Sequence, residues 1–196
     1  MKEKILEYAN KLKTIDYKLV SSNYDGYIGR ETYEVTLANG KVKIIERIIK
    51  NRQDGDAVVI IPQTVDGKYL IEVQSRPNMI DTHGVAVEFP AGMVNPGEKF
   101  IDAARRELEE ETGYLCGNLR EIEWHYQDQG CSNAIIKVYV ARNCEKKSHQ
   151  NLDPDEALEP LEVSLEELIE LYDFRLIIDA SSRLALLTYL RNIKNK

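Results

Sequence analysis

Residues 92–114, GMVNPGEKFIDAARRELEEETGY, constrain this chain more than any other stretch. Seven residues stand in one register: Gly92, Glu98 after five places, Arg106-Glu107 after seven more, then Glu110-Glu111 and Gly113. The first part carries Gly92, Asn95, Pro96 and Gly97 and reads as a loop. Residues 99–111 are rich in Ala, Leu, Glu and Arg and read as a helix. Phe100, Ala103, Ala104 and Leu108 fall on one face of it, and Gly113 is placed to end it. Glu107 and Glu111 are one turn apart and Glu110 is three residues from Glu107, so three like charges crowd one side. The residues allow two readings. One is a solvated acidic face balanced by Arg105 and Arg106. The other is a site for a hard divalent cation, which takes several carboxylate oxygens and relieves their repulsion. The fixed register of seven residues favours the second.

The chain has 196 residues, 43% of them hydrophobic, which suits one sizeable domain with a small appendage. Its net charge of −7 argues against nonspecific nucleic-acid binding. An anionic small molecule remains compatible, because metal and local arginines reverse the sign at a site. Cys116, Cys131 and Cys144 are odd in number and lack CxxC spacing, so reduced thiols in a cytoplasmic protein are expected. Neither an N-terminal signal core nor a membrane-length apolar run is visible, so no membrane partner is expected.

In chain order, residues 1–13 read as a short amphipathic helix with Ile5, Leu6, Ala9 and Leu12 on one side. Residues 17–20, 33–37 and 42–49 read as strands, with Asn39-Gly40 as a hairpin turn. Such a small sheet needs a partner surface, in its own domain or in a second subunit. Further strands are expected at 57–62, 69–74, 83–89, 119–126, 135–141 and 161–163, with residues 142–159 as a long polar connection. Ser164 and Glu167 make a capping box for a helix over 165–171. A last helix spans 179–195, with Leu184, Leu187, Leu190 and Ile193 apolar. This order of strands and helices is α+β. His83, His125 and His149 are scattered and favour ordinary structural roles. For Trp124, Tyr126, Tyr24, Tyr27 and Tyr33, packing is favoured over stacking on a base.

The stretch matches every fixed position of the Nudix box, GX5EX7REUXEEXGU with U apolar, and Tyr114 takes the last apolar place. On these residues the chain resembles the Nudix hydrolases. The resemblance implies an α/β/α sandwich with a mixed sheet from about residue 57 onward, preceded by a small N-terminal antiparallel sheet. It divides the chain into residues 1–50, a dimerising helix and sheet, and residues 51–196, the hydrolase domain. The front sheet, Gln74 with Arg76, Glu88-Phe89-Pro90-Ala91-Gly92 and Ile178-Asp179-Ala180 resemble the ADP-ribose pyrophosphatase branch in particular.

The resemblance also implies Mg²⁺-dependent hydrolysis of a nucleoside diphosphate sugar, with Mn²⁺ as the alternative ion. ADP-ribose, cut to AMP and ribose 5-phosphate, is the first candidate. Another nucleotide sugar or diphosphate, or a non-catalytic nucleotide-sugar-binding module, are the alternatives. Glu107, Glu110 and Glu111 are implied metal ligands together with the Ala91 carbonyl. Glu110, Glu111 and Glu156 are the implied catalytic residues, Glu156 as general base, although Asp153, Asp155 and Glu159 are neighbouring acids in the same segment. Glu98 pairs with Arg106 to tie loop to helix, and Gly92 and Gly113 are structural. Arg76 is either a phosphate fork or a surface arginine at a strand end, and Glu88 either a substrate group or a strand-end charge. One stretch departs from the branch: Gln129 stands where a proline is usual, and Asn133-Ala134 where an acidic pair is usual. The branch further implies a homodimer built through the N-terminal segment.

Overall fold

A computed structural model describes residues 1–80, 84–154 and 156–194. The chain forms two compact units. The first comprises Met1–Gly55 with Tyr126–Ala134. It begins with helix α1 (Lys2–Leu12), none of whose residues is buried. Strands β1 (Asp16–Asn23), β2 (Ile28–Thr36) and β3 (Val42–Lys50) follow in one antiparallel sheet, in sequence order. The Asn39-Gly40 turn joins β2 to β3, with Gly40 at φ 78°, a conformation a side chain would strain. Val35 and Ile49 are buried, whereas every residue of β1 is exposed. The Ile48 amide donates to the Cys131 carbonyl at 2.7 Å, and Asp54 joins Arg47 and Asn133.

The second unit holds Asp56–His125 and Ile135–Lys196. Its strands are β4 (Ala57–Thr64), β5 (Tyr69–Ser75), β6 (Val85–Glu88), β7 (Ala91–Met93), β8 (Tyr114–Leu115), β9 (Asn118–Tyr126), β10 (Ile135–Lys146) and β11 (Leu158–Val163). They make an eight-stranded sheet with the central order β11-β5-β4-β10-β8. β4 and β10 run parallel, Val138 opposite Val59, and β5 is antiparallel to β11 and β6, so the sheet is mixed. Alternation along β4 sends side chains to opposite faces. Val58 and Ile60 pack with Ala103, Ala104 and Leu108 of helix α2 (Phe100–Thr112). Val59 and Ile61 pack with Leu168 of helix α3 (Leu165–Asp173) and Leu186 of helix α4 (Ala180–Lys194). Helices thus cover both faces: the α/β/α sandwich, with a small antiparallel sheet ahead of it, as expected. Among the described residues no helix is long and apolar enough to cross a membrane.

Local signals explain most boundaries. Gly113 ends α2 in the left-handed conformation, φ 75°, its amide donating to the Glu109 carbonyl. A Cβ there would also lie 2.4 Å from the Ser148 carbonyl oxygen, so glycine is required twice over. Ser164 and Glu167 form the reciprocal capping box of α3.

Three expectations need correction. The polar connection starts later than residue 142, because β10 continues to Lys146 through an irregularity between Ala141 and Cys144 and then pairs with β8. The strand expected over 83–89 is shorter, Val85–Glu88, and residues 81–83, His83 included, lie outside the described residues. The buried face of α4 is Ser182, Ala185, Leu186 and Tyr189, with Leu190 and Ile193 packed against the same core as expected, while Leu187 is 48% exposed. The tyrosine sets that rotation, because its hydroxyl reaches the Tyr69 hydroxyl inside the core at 2.8 Å.

Candidate active site

The loop before α2 and the helix itself are held together by Arg106. Its Nε and Nη2 donate to the two carboxylate oxygens of Glu98 at 2.9 and 3.0 Å. Nη2 also donates to the Met93 carbonyl, and Nη1 donates to Glu107 at 2.8 Å and Glu110 at 3.0 Å. Glu98 in turn accepts from the Asn95 amide at 2.8 Å, and its hydrogen bonds from Arg106 hold its carboxyl below the usual range. The fork geometry of the guanidinium makes this a rigid clamp.

Glu107 and Glu111 are buried, 8% and 2% exposed, which removes the solvated-face reading for these two. Glu111 accepts from the Ala91 amide at 3.0 Å, so β7 and α2 meet at this carboxylate. Gly92 is needed for space: a Cβ there would lie 2.0 Å from Glu107 Cδ. Burial pushes the Glu107 carboxyl up to about 7, against the opposing pull of Arg106. Burial pushes Glu111 well above its usual range, and the charge of Glu72 is the next cause.

Glu72 is the residue that sequence reasoning missed. It is fully buried in β5, and neither carboxylate oxygen has a hydrogen-bond partner. An ionised carboxylate so placed costs on the order of several kcal/mol. Burial and the charge of Glu88 push its carboxyl up to about 8. The available signal was an acid inside the apolar run 69–73, YLIEV.

Arg76 and Glu88 are brought together, Nε to Oε1 at 2.7 Å, with Glu88 buried and the arginine side chain 41% exposed. Glu88 is therefore more than a strand-end charge, since it fixes one edge of the guanidinium. Glu156 is exposed, and its carboxylate accepts from the Asp153 amide at 3.1 Å. It is close enough to add to the repulsion felt by Glu72, Glu107 and Glu111. The segment leading to it is tied to the end of α2. Lys147 and Ser148 amides donate to the Gly113 carbonyl, the Asn151 amide to Glu110 and the Gln150 side chain to Glu111. Asp155 lies outside the described residues. His125 reaches Ser181 at 3.4 Å, and Tyr24 and Tyr33 both donate to Glu31.

The donor chemistry fits a hard divalent cation: oxygen-only groups, buried, mutually repelling, two of those oxygens without partners. Among the described residues no three acidic, histidine or cysteine side chains already surround one ion position. Arg106 holds Glu107 and Glu110 on one side while the Ala91 amide holds Glu111 on another.

The sandwich, the clamp and the acidic cluster define a class. The family model for the NUDIX domain matches residues 53–182. The chain belongs to the Nudix hydrolase family, and it is a Nudix pyrophosphohydrolase. It is 35% identical over 154 residues to an ADP-ribose pyrophosphatase of Bacillus subtilis, covering 78% of this chain and 80% of that one. It is 33% identical over 153 residues to a methanol dehydrogenase activator of Bacillus methanolicus, covering 78% and 79%. A GDP-mannose pyrophosphatase of Salmonella arizonae is 28% identical over 158 residues, covering 79% and 82%. The crystal structure of an ADP compounds hydrolase shares the fold, with a TM-score of 0.73 at 21% identity over 94% of this chain and 95% of that one.

Proposed function

We propose that this protein hydrolyses the pyrophosphate bond of ADP-ribose to AMP and ribose 5-phosphate, using Mg²⁺ or, failing that, Mn²⁺. The observation that carries the reading is the pair of buried carboxylates Glu107 and Glu111, one helical turn apart, with Gly92 leaving room for Glu107. The similarity to an ADP-ribose pyrophosphatase supports the substrate. Glu107 and Glu111 would hold the cation, with Glu110 and the Ala91 carbonyl completing the oxygen set. The cation supplies charge neutralisation at the pyrophosphate and a lowered pKa for the attacking water. Glu156 accepts the proton of that water as oxygen adds to phosphorus and the bridging P–O bond breaks. Arg76, aligned by Glu88, offers its exposed edge to a phosphate. Arg106 and Glu98 keep the loop in register with the helix, and Gly92 and Gly113 keep the space and the turn.

A second reading, hydrolysis of another nucleotide sugar, is favoured by Gln129, Asn133 and Ala134 and by the GDP-mannose pyrophosphatase relative. Product release from ADP-ribose, GDP-mannose and other nucleotide sugars, with and without Mg²⁺, decides between them. No turnover of any substrate at saturating metal would leave a binding module.

The three free cysteines support a cytoplasmic setting. We also propose a homodimer through residues 1–50. Ile28 of β2 and Val42, Ile44 and Ile48 of β3 share one face of the sheet and are all exposed, an apolar surface that a second copy would cover. Light scattering at micromolar concentration tests this, and a monomeric mass in a fully active sample overturns it.

A further inference from the structure

Glu72 stands in the middle of β5, its side chain removed from solvent and both carboxylate oxygens without a partner. Strand alternation puts it on the sheet face that Leu70 shares with Ala103, Ala104 and Leu108 of α2. Its cross-strand neighbour is Glu88, and its charge acts on Glu111 more strongly than that of any other side chain. Glu107 and Glu156 repel it in turn. Neither nearby guanidinium group donates a hydrogen bond to Glu72. Arg106 serves Glu98, Glu107, Glu110 and the Met93 carbonyl, and Arg76 Nε serves Glu88. A valine or leucine at this position would have continued the apolar strand. The chain instead places two acceptor oxygens, with no donor supplied, against the sheet-facing side of the acidic cluster. A hard divalent cation is the species that satisfies several such oxygens at once.

We propose that Glu72 is a further carboxylate ligand of the divalent cation site, reaching it from the sheet while Glu107 and Glu111 reach it from α2. The inference rests on the metal-dependent reading above and extends it. The cation is then gripped between helix and sheet and fastens one to the other.

The test is Mn²⁺ binding by calorimetry on the full chain without substrate, for the wild type, E72Q, E72L and E111Q. Melting temperature is followed with and without the ion. The expected result is wild-type binding that weakens at least about tenfold in E72Q, the scale of loss that even an indirect partner of a ligand causes. E72Q should also melt higher than wild type in a chelator and gain less from Mn²⁺. Folded E72Q or E72L that binds Mn²⁺ as tightly as wild type, while E111Q does not, overturns the role of Glu72 and leaves the metal reading intact. Wild type that binds no Mn²⁺, or E111Q that binds as wild type does, overturns the metal reading and this proposal together. E72L guards against a folding defect peculiar to the glutamine.

Discussion

Glu31 in the N-terminal unit and Glu72 in the hydrolase unit are both buried glutamates on strands, and their surroundings are opposite. Glu31 accepts from the hydroxyls of Tyr24 and Tyr33 and from Arg47, which also pairs with Asp54. Burial pushes its carboxyl up, but those hydrogen bonds outweigh it and hold the group below its usual range. Glu72 has no such donors, and its carboxyl is pushed up to about 8. The first acid is completed by its own chain and serves the fold. The second is left without donors, and the charges of Glu107 and Glu111 act on it as like charges. Buried charge by itself therefore says nothing about function; the presence or absence of donors does.

The sharpest break of this comparison is E111Q. If Glu111 belongs to an incomplete site, the variant loses turnover down to background while its circular dichroism stays native. Near-wild-type activity at saturating Mg²⁺ would place the chemistry elsewhere. Next in size is E156Q, expected to lower kcat about 10²–10⁴-fold with Mn²⁺ affinity nearly unchanged. A fall of less than about threefold would move the base to another acid, Glu159 first.

The counterpart on the other side is E31Q. It leaves Arg47 short of a charged partner and should destabilise the N-terminal unit by about 1–3 kcal/mol, read from denaturant unfolding. A variant as stable as wild type would remove the distinction between the two glutamates.

A further contrast is in the pH dependence of the metal-free protein, and its two parts have opposite sign. Glu31 has a folded pKa below its unfolded value, so its contribution is present above about pH 4.5 and fades as pH falls through the folded pKa. Burial pushes the Glu72 and Glu107 carboxyls of the folded state up to about 8 and about 7, above the ordinary glutamate value of 4.5. The folded state then holds more protons, and their contribution fades as pH rises from about 4.5 through 7 to 8. In a chelator, melting of the hydrolase unit should fall over that range, and Mn²⁺ should cancel the fall. A flat profile above pH 5 would contradict the raised carboxyls.

What could be read from residues alone was what local chemistry decides. The Asn39-Gly40 hairpin, the Ser164–Glu167 capping box, Gly113 at the end of α2 and the helical register of Glu107, Glu110 and Glu111 each depend on a few adjacent residues. The ion pair of Glu98 with Arg106 followed from the family pattern. The misses depend on distant partners. Polar residues 142–146 stay in a strand because β8 is there to pair with them. The face of α4 turns on the meeting of Tyr189 with Tyr69, far apart in sequence. Glu72 reads as one polar letter in a strand until the sheet places it beneath α2 and beside Glu88.

The ties between the end of α2 and residues 147–151 carry a consequence for how such an enzyme changes over generations. The helix leaves its last carbonyls without partners, and the following segment caps them with its own amides and the Gln150 side chain. These anchors stop at Asn151, a few residues before Glu156, and the chain is fixed again at Ala157, whose carbonyl accepts from the Ser75 amide of β5 at 2.9 Å. Insertions or deletions between those two posts alter how far Glu156 extends while leaving helix, sheet and acidic cluster untouched. If Glu156 is the base proposed above, the length of chain between Asn151 and Ala157 sets its reach, and a longer or shorter substrate can be accommodated there without rebuilding the frame.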